Sequence, residues 1–134
     1  MKQPSLMIVD DEVNVTRTLQ LIFERDGYRV TPAYSCAEAL ALLGNGSKKM
    51  DAVITDLNME REDIGFEVAR AARKLLPAPV VVVCTGYANP VNSRLALDLR
   101  VDYLALKPVD VDELRAALVR LLARRTASRK REVS

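Results

Sequence analysis

Four short stretches carry the side chains best suited to chemistry: Asp10-Asp11-Glu12, Asp56, Thr85-Gly86 and Lys107-Pro108. Brought together, the three carboxylates of Asp10, Asp11 and Asp56 repel one another, and they persist only with a cation among them or a proton on one of them. All are hard oxygen donors and the chain has no His, so a site built from them suits Mg2+ or Mn2+ rather than Zn2+. Lys107 adds a compact positive charge and Thr85 a hydrogen-bond donor. A phosphate uses both, whereas a bare metal site needs neither. Asp56 can then act as a nucleophile toward phosphorus and form an aspartyl phosphate. The cation, Lys107 and Thr85 would each engage one phosphoryl oxygen. A carboxylate is already ionised at neutral pH, so no base is required. The lack of His excludes a His base, a His ligand and a phosphohistidine within the chain.

Each stretch taken singly has an ordinary explanation. Asp10-Asp11-Glu12 reads as a solvated turn, Asp56 as a helix N-cap and Thr85-Gly86 as a turn. Their weight comes from the elements that deliver them. Leu6-Met7-Ile8-Val9 is an apolar run that halts at Asp10, as a buried strand does. Val15, Leu19, Ile22 and Phe23 share one helical face, closed by Gly27. Residues 28–33 form a second strand, with Pro32 pushing it toward a sheet edge. Ser35-Cys36-Ala37-Glu38 is a capping box opening a helix to Leu43, followed by a loop at Gly44-Asn45-Gly46-Ser47. Residues 52–55 form the strand that delivers Asp56, and a polar loop covers 58–63. Val68, Ala72, Leu75 and Leu76 mark the next helical face, ended by Pro77 and Pro79. Residues 80–84 form a β-branched strand ending at Thr85. Val91, Leu95 and Leu99 make a weaker helical stripe. Residues 103–106 form the last strand, ending at Lys107. A second capping box at Asp110-Val111-Asp112-Glu113 opens a helix with Leu114, Leu118, Leu121 and Leu122 on one side.

Five strands alternating with five helices predict an α/β, doubly wound fold with a mainly parallel sheet covered on both faces. Such sheets bind ligands at the carboxyl ends of their strands, and all four stretches stand there. The second strand, ending near Tyr34 and Ser35, offers nothing comparable. At 134 residues the chain has room for one domain. Its 4% aromatic content and lack of Trp predict an aliphatic core. The net charge of +2 is uneven: from Arg120 onward there are six basic residues against Glu132, a net +5, leaving −3 for the remainder. A basic balance confined to the tail is no reason to read a nucleic-acid binder. Cys36 and Cys84 lack CxxC spacing and read as reduced thiols. No apolar run could cross a membrane and the N-terminus is not a signal peptide, so the expected location is cytoplasmic.

Taken in order, Ile8-Val9-Asp10-Asp11-Glu12, Asp56 with Met59 three residues on, Gly65, Thr85-Gly86 and Lys107-Pro108 resemble the receiver domain of two-component response regulators. The resemblance runs from Leu6 to about Leu122. It implies a flavodoxin-like (βα)5 fold with strand order 2-1-3-4-5. It also implies roles. Asp56 would be the phosphoacceptor. Asp11 would bind Mg2+ directly, Asp10 largely through water, and Asp56 and the backbone carbonyl of Asn58 would complete the protein ligands. Thr85 would move toward the phosphoryl group and Lys107 would pair with it, with Lys107–Pro108 cis. The donor would be a phosphohistidine on a sensor histidine kinase or phosphotransfer protein. Phosphorylation would reshape the face of the fourth helix, fifth strand and fifth helix, for an output domain, a downstream protein or a homodimer partner. The chain would be a receiver domain over 1–122 with a basic tail or linker over 123–134. It would turn over no external substrate and touch neither membrane nor nucleic acid directly.

Several positions depart from the family pattern. Glu60-Arg61-Glu62-Asp63 makes an acidic loop where Pro usually follows the Met. Leu104 stands where a Tyr or Phe usually precedes the Lys by three, and Tyr103 beside it faces the other side of the sheet. Tyr87, two residues after Thr85, is bulky enough to restrict water and lengthen the phosphoryl lifetime. Leu104 therefore keeps open a receiver-fold interaction module that is never phosphorylated. A dehalogenase-like phosphatase is disfavoured by Asn58, where a second Asp is usual. A flavodoxin is disfavoured by three acids where a phosphate loop is usual.

Overall fold

The computed structural model describes the backbone of residues 3–45 and 49–133 and side chains as far as residue 129. The elements are β1 (Ser5–Val9), α1 (Val13–Arg25), β2 (Arg29–Ala33), α2 (Cys36–Leu43), β3 (Ala52–Asp56), α3 (Gly65–Arg73), β4 (Val80–Thr85), α4 (Pro90–Asp98), β5 (Tyr103–Leu106) and α5 (Val111–Val133). The strands form one parallel sheet in the order β2-β1-β3-β4-β5. The strand alternation divides the core in two. Met7, Val9, Val53, Val81 and Val83 pack beneath α2, α3 and α4. Leu6, Ile8, Ile54, Val80 and Val82 pack beneath α1 and α5, against Phe23, Leu114 and Leu118. Both faces of β3 and β4 are buried, which is why those strands read as continuous apolar runs.

Pro32 sits on the edge strand β2, where its missing donor is tolerated. Ser35 Oγ accepts from Glu38 N at 3.1 Å. The reciprocal half of the capping box is displaced by one residue, because the Glu38 carboxylate accepts from Tyr34 N at 3.4 Å. The cap at α5 is present, with Asp110 Oδ1 accepting from Glu113 N at 3.1 Å. Gly46 and Ser47 of the expected loop lie outside the described residues.

Two helical faces differ from expectation. Helix α3 stops at Arg73, and Leu76 is 92% exposed instead of lying on its buried face. Pro77 disfavours the helical conformation at Leu76, so the chain leaves the helix earlier. In α4, Val91 is 68% exposed, while Asn92 and Ala96 face inward. Pro90 at the first turn and a reciprocal Asn89–Asn92 capping box set the phase of that helix.

Helix α5 continues beyond Leu122 through much of the basic segment. Arg125 holds it there: its guanidinium donates to Ala78 O at 2.9 Å and to Asp51 Oδ1 at 3.0 Å. Asp51 Oδ2 in turn accepts from Ser5 N at 2.8 Å, so α5 is tied to the amino ends of the strands.

Candidate functional site

Asp10 follows β1 directly. Its N–H donates to Ala33 O at 3.1 Å, its Oδ1 accepts from Glu12 N at 2.9 Å, and its carbonyl accepts from Thr16 Oγ1 at 3.1 Å. These bonds fix a buried carboxylate at the mouth of the sheet, with the exposed Asp11 beside it. Asp56 ends β3 and is also buried. Gly65 lets α3 start against it: a Cβ at Gly65 would overlap the carbonyl oxygen of Asp56 and lie 2.7 Å from Leu57 Cα. Gly65 is the first residue of α3, directly after the loop.

Carboxylate oxygens of Asp10, Asp11 and Asp56 lie within 4.8 Å of one another. Lys107 Nζ stands 3.0 Å from Asp56 Oδ1 and 4.0 Å from Asp10 Oδ2. Its backbone N–H donates to Thr85 O at 2.8 Å, tying the ends of β4 and β5, and the Lys107–Pro108 peptide is cis, as expected. A crevice of about 490 Å3 runs from Asp10, Asp56 and Lys107 along α1, between Val15 and Thr18 on one side and Val109 on the other.

Burial raises the pKa of Asp10, and the Asp56 charge adds to this against the opposing Glu12 N–H and Lys107. Burial likewise raises Asp56, offset by its hydrogen bond to Lys107. For Lys107 burial acts downward, but the Asp56 hydrogen bond and the charges of Asp56 and Asp10 outweigh it, and its pKa is raised. Two buried carboxylates held above their ordinary range, with a third beside them, form a donor set that a hard, oxygen-seeking cation fits. The Cys84 thiol is pushed up to about 12 by burial, so it stays protonated and is a poor nucleophile or ligand.

Thr85 does not join this group directly. It is fully buried, and its Oγ1 donates to Tyr87 O at 3.1 Å and accepts from Tyr87 N at 3.2 Å. The Asn58 side chain accepts from Asp63 N at 2.7 Å. Tyr87 is 72% exposed. Leu104 packs in the core beneath α2, α3 and α4, while Tyr103 packs beneath α1 and α5.

Two side-chain contacts near the site were not legible in the sequence. Glu60 accepts from Cys36 N at 3.1 and 3.3 Å, anchoring the loop after Asp56 to the start of α2, where a negative charge is favoured. No local pattern signals a contact across that separation. Buried Asn92 is the second, and Asn89-Pro90 ahead of it was a legible helix start.

The chain matches the family model for the response regulator receiver domain over residues 6–119. It is 32% identical to the transcriptional regulatory protein GlrR of Escherichia coli over 87% of this chain and 26% of that protein. It is 38% identical to the acid tolerance regulatory protein ActR of Rhizobium meliloti over 86% of this chain and 58% of that one. The chain thus spans about a quarter to somewhat over half the length of these curated relatives. Among solved structures, a CheY-like response regulator receiver domain protein from Methanospirillum hungatei superposes with a TM-score of 0.87 at 27% identity, covering 95% of this chain and 99% of that one. A receiver domain protein from Clostridium thermocellum gives 0.82 at 27% identity, covering 92% and 98%.

Proposed function

The chain belongs to the response regulator receiver family of two-component systems, and we propose that Asp56 accepts a phosphoryl group from a phosphohistidine on a sensor histidine kinase or a phosphotransfer protein. The observation that carries this reading is the convergence of Asp10, Asp11 and Asp56 within 4.8 Å, with Lys107 Nζ 3.0 Å from Asp56. In the transfer the N–P bond of the donor imidazole breaks and an O–P bond to the Asp56 carboxylate forms. Asp10, Asp11, Asp56 and the backbone carbonyl of Asn58 would hold Mg2+ or Mn2+, which when bound supplies positive charge against the phosphoryl oxygens. Lys107, with its Nζ 3.0 Å from Asp56 Oδ1, would be the second positive charge. Thr85 contributes its hydroxyl by turning away from Tyr87. Hydrolysis later returns Asp56 to the free acid, and no external substrate is turned over.

Tyr87 in the loop before α4, Val91 and Leu97 on α4 and Leu106 on β5 have exposed, largely apolar side chains. They support the α4–β5–α5 face as the surface presented to an output domain, a downstream protein or a second copy. In this reading residues 1–122 form the receiver unit and 123–134 a basic tail or linker, into which α5 continues as far as Val133. Among the described residues no helix is long and apolar enough to cross a membrane. In this reading the chain works in the cytoplasm and contacts neither membrane nor nucleic acid directly.

Borohydride trapping tests the assignment. After incubation with Mg2+ and a small acyl phosphate, reduction should convert Asp56 and no other carboxylate to homoserine. Trapping at Asp10 or Asp11 contradicts it. Failure to trap Asp56 with acyl phosphates and phosphorylated kinases alike supports the non-phosphorylated interaction module, which Leu104 and the engaged Thr85 hydroxyl favour.

A further inference from the structure

Asn92 lies in the first turn of α4 and is 2% exposed, unusual burial for an amide side chain. Both ends of that amide are used. Its Oδ1 accepts from Asn89 N at 2.9 Å, and its Nδ2 donates to Tyr87 O at 2.9 Å. Asn89 answers with its own Oδ1, which accepts from Asn92 N at 2.8 Å. The Tyr87 carbonyl is also the acceptor for Thr85 Oγ1 at 3.1 Å. One carbonyl oxygen is therefore shared by the Thr85 hydroxyl and by the cap of α4.

A hydroxyl has a single proton to donate. Thr85 can give it to Tyr87 or to a phosphoryl oxygen on Asp56, and not to both. When Thr85 turns, Tyr87 loses one donor to its carbonyl and the acceptor for its N–H. The group left holding that carbonyl is Asn92, which also holds the amide of Asn89. Leu104, on the same face of the sheet, has no polar atom to follow the hydroxyl.

We propose that Asn92 is a positioning residue that passes the departure of the Thr85 hydroxyl to the start of α4 through the Tyr87 carbonyl. The trigger rests on Asp56 being the phosphoacceptor, but the linkage itself needs no phosphoryl group and can be tested without one. Solvent-exchange NMR on the full chain reads the amides of Tyr87 and Asn89. Thr85→Val removes the hydroxyl at nearly constant shape. It should accelerate exchange at both amides by about tenfold, the size of one lost hydrogen bond. Asn92→Asp keeps the acceptor for Asn89 but removes the donor to Tyr87. In that background Thr85→Val should accelerate Tyr87 alone. Adding Mg2+ and an acyl phosphate to the wild type should accelerate both amides, with intact mass reporting the phosphoryl group. The proposal is overturned if Asn89 ignores Thr85→Val, or responds equally with Asn92→Asp present. Should Asn92→Asp not fold, Thr85→Val alone still gives the first of these results. An expected Thr85→Val response without any mass gain, whether from acyl phosphate or from a phosphorylated kinase, supports the linkage and counts against the phosphoacceptor reading instead.

Discussion

Asp10 shows what the site costs the fold. Its carboxyl pKa is raised by burial and by the neighbouring Asp56, so the folded chain binds that proton more tightly than the unfolded chain does. Its contribution therefore turns unfavourable as pH rises through the window between the ordinary carboxylate value and the raised one. Asp10→Asn keeps an acceptor for Glu12 N while removing the charge. Without metal at pH 7 it should melt higher than the wild type, and the difference should vanish on acidification below the ordinary carboxylate range. Mg2+ should raise the wild-type melting temperature through selective binding to the folded state, and should do so far less in Asp10→Asn. Thermal melts with and without Mg2+ check both. Tyr87→Ala addresses a different property: it should shorten the phosphoryl lifetime if the exposed ring restricts water, and an unchanged lifetime counts against that role. Asp10, Asp11, Asp56 and Lys107 were legible in the sequence because each stands at the end of a strand or within two residues of it. The hydroxyl partner of Thr85 was not, since a loop bond within two residues leaves no compositional trace.

Helix α3 depends on one missing side chain. Gly65→Ala would press a methyl group into the backbone of Asp56 and Leu57, neither of which can rotate away. The expected loss is about 1–3 kcal/mol, with weaker Mg2+ binding because the Asp56 end of β3 must shift; a chemical melt in urea with and without Mg2+ measures both. Helix α5 depends on Arg125, which is mostly buried against Asp51 and Ala78. Arg125→Ala should cost about 1 kcal/mol and reduce helical circular dichroism as the end of α5 frays. The number and order of elements were readable from periodicity, as were the edge position of β2 and the Asp110 cap. Helix phase was not: apolar spacing put Val91 inward, whereas Pro90 and the Asn89–Asn92 pair turn α4 so that a polar side chain is buried. Charge likewise made the end of α5 look like a solvated tail, because Arg125 finds its partner far away in the chain.

Across the molecule, the parity of a parallel sheet separates two tasks. Asp56, Cys84 and Lys107 open toward the crevice beside α1, while Thr85 engages the loop leading to α4 and Leu104 packs in the core on that side. In the proposed function, chemistry at Asp56 reaches the α4 side through Thr85, whose backbone carbonyl is bonded to Lys107 N and whose side chain is bonded to Tyr87. The exposed apolar side chains of α4 and β5 lie beyond it. The most direct test of this account is the intact mass of the chain after incubation with Mg2+ and a small acyl phosphate or a phosphorylated histidine kinase. The wild type should gain one phosphoryl group, lost in Asp56→Asn and lost when EDTA removes the metal. A gain that survives Asp56→Asn, or no gain from any donor together with no Mg2+ binding, would contradict it.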